Sequence, residues 1–162
     1  MQDQYPRMAF DKTTSAGYLA NHLARLFAIR LQERIRPLGL APAQFMTLIE
    51  LWRQDGLTQR ELVERLDVEQ ATMAKTLARM ERDGLVVRRP HPGDGRAQQV
   101  WLTETARLLQ GPATAAAQDV NRAALAPLSE PERRQLIDLI ARVVAGMRAD
   151  GAIPSDNSAA DG

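Results

Sequence analysis

Residues 70–103 read QATMAKTLARMERDGLVVRRPHPGDGRAQQVWLT. Met73, Leu77 and Met80 are spaced four and three apart, which predicts a helix with these three facing inward. Gly84 ends it. An apolar-then-basic strand is expected over 85–89 and a second strand over 98–102. Between them, residues 90–95 hold two prolines and two glycines, the composition of a turn. Helix, strand, turn and strand is the plan of a winged helix. The stretch is also basic. Lys75, Arg79, Arg82, Arg88, Arg89 and Arg96, less Glu81, Asp83 and Asp94, leave +3, whereas the rest of the chain sums to −2. A basic element on a near-neutral body points to a phosphate-bearing partner more than the overall +1 does.

Immediately upstream, Thr58 and Glu61 form a capping-box pattern that opens a short helix over 59–66, with Leu62, Val63 and Leu66 inward. Residues 67–69 connect it to the basic helix, so the pair reads as a helix-turn-helix. Before it, a helix is expected from near Pro42, carrying Phe45, Leu48, Ile49 and Trp52 on one side and stopped by Asp55-Gly56. A longer helix over 15–36 precedes that, with Leu19, Leu23, Leu26, Phe27 and Leu31 in its apolar stripe. Tyr18, His22 and Arg25 form a second row along it.

Downstream, Thr103 caps a long helix that Gly111-Pro112 should kink, since proline costs about 3 kcal/mol in a helix interior. Ser129 and Glu132 form a second capping box. The last helix carries Leu136, Ile137, Leu139, Ile140, Val143, Val144 and Met147, more apolar surface than a solvent-facing helix should show. Burial contributes roughly 25 cal/mol per Å², so a second copy of the chain is the natural cover for the terminal helices. The expected division is a flexible tail over 1–13, a helical dimerisation region over 14–40 and 104–149, a winged helix-turn-helix over 41–103, and a flexible tail over 150–162. The fold class is mainly α with a small β-hairpin wing.

Composition removes several classes. Of 162 residues, 44% are apolar and 4% aromatic, so a helical core can form. The absence of cysteine rules out disulfides and thiol switches, and His22 and His91 are too far apart for a local metal motif. No apolar run approaches ~18 residues and MQDQYPRMAFDKTT has no apolar leader core, so the cytoplasm is the expected compartment, on the nucleoid when bound to DNA. No Cys-His pair, catalytic carboxylate cluster or phosphate-binding glycine loop points to an enzyme.

Three motifs resemble the MarR (multiple antibiotic resistance regulator) family. The run from Asp94 and Arg96 through Val100, Leu102 and Thr103 fits that family's D-x-R-x-x-x-V-x-L-T wing pattern. Arg79-Met80-Glu81, then Gly84-Leu85-Val86, resembles its R-L-E-x-x-G-L-V, and Leu128-Ser129 with Glu132 resembles its L-S-x-x-E. The resemblance spans about residues 15–148 in the family's order of elements. Ala74-Lys75 stand where the family often has Thr-Arg, and Ala41 replaces a usual hydroxyl cap.

The resemblance implies a homodimeric regulator of a pseudo-palindromic operator in double-stranded DNA, typically a repressor that a small effector releases. It needs no cofactor. A recognition helix would read base edges through Gln70, Ala71, Thr72, Lys75 and Thr76, with Arg79 on phosphate. Arg96 at the wing tip suits an A·T-rich minor groove, and the family pattern gives Asp94 the part of setting its pose. Arg88 and Arg89 bind phosphate or brace the wing, and His91 reads as an ordinary wing residue. Relatives of this kind bind aromatic acids or phenols. Here Tyr18, His22 and Arg25 are the candidate polar contacts, Arg25 offering a bidentate fork to a carboxylate, and Phe45, Met46 and Trp52 the candidate walls. Structural packing is the commoner role for such a row. Two other readings stay open: a winged-helix module that docks a protein without reading DNA, and a regulator that answers to no ligand.

Overall fold

The computed structural model describes residues 9–151. Its elements run α1 (Ala16–Ile35), a 3-10 turn (Arg36–Leu38), α2 (Pro42–Arg53), β1 (Leu57–Thr58), α3 (Gln59–Leu66), α4 (Gln70–Arg82), β2 (Val86–Pro90), β3 (Gln98–Leu102), α5 (Glu104–Leu108), α6 (Gln110–Ala124) and α7 (Glu130–Asp150). The mainly helical winged helix-turn-helix expected from the sequence is the fold observed.

Caps set most boundaries. Ser15 Oγ accepts from the Tyr18 amide to start α1. Ala41 has no side-chain cap to offer, but Gln44 Oε1 accepts from the Ala41 amide and supplies half of a capping box for α2. The Gln44 amide also donates to Asp83 Oδ2 at 3.0 Å, tying the start of α2 to the end of α4. That bond holds the Asp83 carboxyl below the usual aspartate range. Thr58 and Glu61 complete the box on α3, with Glu61 Oε2 2.7 Å from the Thr58 amide. Helix α4 ends as a Schellman motif: Gly84 has φ +71°, its amide donates to Glu81, and the Leu85 amide donates to Met80. Leu85 is thus spent on the helix exit, and the first wing strand begins one residue later than its sequence predicts.

The sheet has the order β1-β3-β2, antiparallel throughout, with Leu57 opposite Val100 and Val87 opposite Trp101. Two-residue β1 is too short to carry a periodic signal and was not expected. The predicted long helix after Thr103 breaks at Leu109, ahead of Gly111-Pro112. Pro112 offers no amide, and in an unbroken helix its ring would press on the carbonyl four residues back, that of Leu108. The disturbance therefore falls one turn before the proline.

Ile35, Leu48, Leu51, Leu57, Leu62, Leu77, Met80, Val86 and Val100 fill the core between α2–α4 and the sheet, and Ala106 and Ala113 close it from α5 and α6. The terminal helices add little to it. α1 buries only Ile35, and α7 buries nothing. Ile137, Leu139, Ile140, Val143, Val144 and Met147 are between 44% and 71% exposed. Among the described residues, no helix is long and apolar enough to cross a membrane. Of the expected tails, residues 1–8 and 152–162 lie outside the described residues. Thr13 and Thr14 form a turn on Asp11, and α7 runs to Asp150.

Candidate nucleic-acid interface

Because Met73, Leu77 and Met80 face the core, α4 turns Gln70, Ala71, Thr72, Lys75 and Arg79 to solvent. Thr76 is half-buried, and its hydroxyl donates to the Thr72 carbonyl at 3.0 Å. Gln70 Oε1 accepts from Gln59 Nε2 on α3 at 3.2 Å, which joins the two helices beside the exposed face.

The cations nearby divide in two. Arg82 pairs with Asp83 at 3.4 Å, and Arg88 pairs with Glu81 at 3.3 Å, bracing β2 against α4. The Arg89 guanidinium lies 5.6 Å from the centre of the Trp101 ring, a cation–π contact across the wing strands. Lys75, Arg79 and Arg96 have no ion-pair partner among the described residues. These three carry no such ion pair on the exposed side.

The wing tip is held by short polar bonds. His91 Nδ1 accepts from the amides of Gly93 at 2.9 Å and Asp94 at 3.2 Å, so its ring proton sits on Nε2. Asp94 Oδ1 accepts the Arg96 amide at 3.0 Å. Asp94 thus meets the backbone of Arg96, and its carboxylate makes no ion pair with the guanidinium. The backbone bonds His91 to Ala97 and Ala97 to Asp94 close the turn. His91, an ordinary wing residue to the sequence, is the acceptor around which the tip folds. A histidine two residues before a glycine was the available signal, but its direction depends on the loop trace.

Asp55 was legible only as a helix stop. Its Oδ1 accepts from the amides of Gly56 and Leu102, and its Oδ2 pairs with Arg107 at 3.0 Å. One carboxylate therefore fixes α2, β3 and α5 together at the root of the wing. Gly56, at φ +75°, lies against the Trp101 ring, where an added Cβ would come within 2.6 Å of it.

The six expected effector residues are not gathered into one pocket. Tyr18 and His22 form an edge-to-face pair on exposed α1, with ring centres 6.3 Å apart. Arg25 is exposed on the same helix and has no ion-pair partner among the described residues. Phe45 is buried in the core, stacked edge-on against Trp52, whose indole donates to the Ala106 carbonyl at 3.0 Å. Met46 points elsewhere. With Thr47, Leu66, Val68, Thr72 and Met73 it lines a cavity of about 140 Å³ behind α4. One residue along a helix is a turn of roughly 100°, so Phe45 and Met46 cannot share a wall. Among the described residues, no cluster of three His, Cys, Asp or Glu could hold a metal ion.

Residues 38–97 match the family model described as MarR family. That span begins in the 3-10 turn after α1 and closes at the wing tip. A probable transcriptional regulator from Pseudomonas aeruginosa has 30% identity and a TM-score of 0.76, over 82% of this chain and 99% of that one. The PcaV transcriptional regulator from Streptomyces coelicolor, solved with its natural ligand, has 28% identity and a TM-score of 0.74, over 85% and 96%. A Listeria monocytogenes protein assigned to the MarR family and complexed with 26mer DNA shares the fold at a TM-score of 0.77 and 21% identity, over 84% and 91%. The family match and the near-complete alignment with the Pseudomonas protein agree with the wing and recognition-helix motifs, and the chain belongs to the MarR family, whose members are transcriptional regulators and not enzymes.

Proposed function

We propose that this chain represses transcription by binding a pseudo-palindromic operator as a homodimer, and that a small aromatic carboxylate or phenol releases it. The carrying observation is that, among the described residues, Lys75, Arg79 and Arg96 lack ion-pair partners where Arg82 and Arg88 have them. In this reading Gln70, Ala71, Thr72, Lys75 and Thr76 meet base edges in the major groove, and Arg79 meets phosphate. Arg96 enters the minor groove, Asp94 shapes its turn, and Arg88 and Arg89 hold the wing strands. Residues 41–103 read DNA.

Residues 14–40 and 104–149 join the two copies. The support is the large apolar surface on α1 and α7, where Leu19, Leu23, Leu26 and Ile29 are also between 43% and 50% exposed. A two-fold pair then offers two recognition helices to two half-sites. Tyr18, His22 and Arg25 contact the effector, and the second copy supplies apolar walls, since Phe45 and Trp52 are engaged in this chain's own packing. The effector works by preferring a conformation with the wrong spacing between recognition helices, with leverage equal to that preference. Such a protein acts in the cytoplasm, on the nucleoid.

The test is a gel shift on the DNA upstream of the protein's own gene, against scrambled competitor at fixed salt, repeated with a panel of aromatic acids. Operator preference of roughly 10³-fold or more is expected. One acid should relieve it, and His22→Ala should blunt that response without weakening the operator complex. Equal binding to operators selected genome-wide and to scrambled DNA would favour a protein-docking module instead. Specific binding that no acid relieves would leave a regulator without this effector.

A further inference from the structure

α7 is anchored at its two ends and bare between them. At its base, Arg133 Nε donates to the carbonyls of Leu125 and Leu128, both at 3.0 Å. At its tip, Arg148 reaches a different part of the molecule. Its Nη2 donates to the Glu64 carbonyl at 2.8 Å, and its Nε pairs with Asp67 Oδ2 at 3.0 Å. The two anchors lie about 22 Å apart along the helix axis at 1.5 Å per residue.

The receiving end is chemically apt. Glu64 is in the last turn of α3, where carbonyls lose their intrahelical donors. The amides of Asp67 and Val68 both turn to Val63, which leaves the Glu64 oxygen for the guanidinium. A cation there also meets the negative end of the α3 dipole. Asp67 has φ +50°, the only positive φ outside glycine among the described residues, so its carboxylate stands on a sharply turned backbone. Three residues further on, Gln70 begins the recognition helix. Both partners are about half exposed, and an exposed ion pair contributes little stability by itself. A planar fork that grips a carbonyl and a carboxylate together instead fixes a direction.

We infer that Arg148 is a positioning residue: from the tip of α7 it fixes the α3–α4 turn, and through that turn the spacing at which α4 is presented to DNA. This rests on the DNA-reading dimer proposed above. Displacement of α7 then passes to the recognition helix through one side chain, without crossing the core.

The full-length wild type would first select an operator from a random duplex pool. Affinities would then be compared on that operator, on the same operator with one base pair inserted between half-sites, and on a single half-site. The insertion moves the half-sites apart by about 3.4 Å and rotates them by about 34°. Arg148→Ala should lose at least ~5-fold of the preference for the selected spacing, the lower end of ordinary coupling between sites, and should keep its half-site affinity. Arg148→Lys, with a charge but no fork, should fall between. Adding Asp67→Asn to Arg148→Ala should cost little more, because the two act as one contact. An unchanged spacing preference in Arg148→Ala overturns the inference. So does an equal loss on the half-site, which would make Arg148 a plain support of α3. If Arg148→Ala fails to fold, Arg148→Lys and Asp67→Asn are read by the same criteria. A wild type that selects no duplex defeats the DNA reading itself, and this inference with it.

Discussion

The guanidinium of Arg96 hangs from a turn in which two backbone amides end on one ring nitrogen, His91 Nδ1. Charge and placement act separately there and can be removed separately. Arg96→Ala should weaken operator binding by about 1–3 kcal/mol and leave the oligomer unchanged. His91→Ala keeps every charge proposed to meet DNA but strands two amides, and should cost a smaller amount, about 1 kcal/mol, at an unchanged salt slope. Fluorescence anisotropy at several salt concentrations reads both, and wild-type affinity in either variant removes that residue from the interface. The sequence singles out Arg96 because a wing motif and a charge coincide there, and the structure leaves it without an ion pair among the described residues. The bonds of His91 depend on how six residues of loop are traced, and no spacing rule encodes that. Met46 lines a different cavity from the one side that Phe45 and Trp52 share, a separation that helical geometry already implies.

The helices owe their ends to local chemistry, and local chemistry is what a sequence states most clearly. The boxes at Thr58 and Ser129 formed as their spacing predicts. Where an element depends on a distant partner, the sequence was silent. β1 exists only because β3 lies beside it, and Asp55 joins three elements only once they meet. The Thr58 box also carries a pH signature. The Thr58 amide holds the Glu61 carboxyl below the usual glutamate range, against a smaller opposing effect of burial. The folded chain therefore binds that proton less readily than the unfolded chain. Its contribution is full above the ordinary glutamate range and is lost as pH falls through the lower, folded value. Melting temperature should drop more steeply between about pH 5 and pH 3 in the wild type than in Glu61→Gln. Parallel profiles would show that the box adds no pH-dependent stability.

In the whole molecule, the surplus of apolar side chains on α7 was legible, but the reach of Arg148 was not. That contact spans 84 positions, and no periodicity or cap links its partners. Ile140 and Val144 are 44% and 50% exposed in the single chain, so Ile140→Glu with Val144→Glu should leave the fold near its wild-type stability. The same pair of charges should break the proposed dimer. Light scattering should then report half the wild-type mass, and an unaltered mass would move the interface off α7. The two-ended attachment of α7 has a further consequence for such a dimer. A helix tied at base and tip by contacts this exposed can let go of its tip without unfolding the body. Mixing tagged and untagged protein should then give hybrid dimers at a rate that Arg148→Ala leaves within about a few-fold of the wild type. Old and newly made copies of the chain would then share dimers, and the pool would turn over as one.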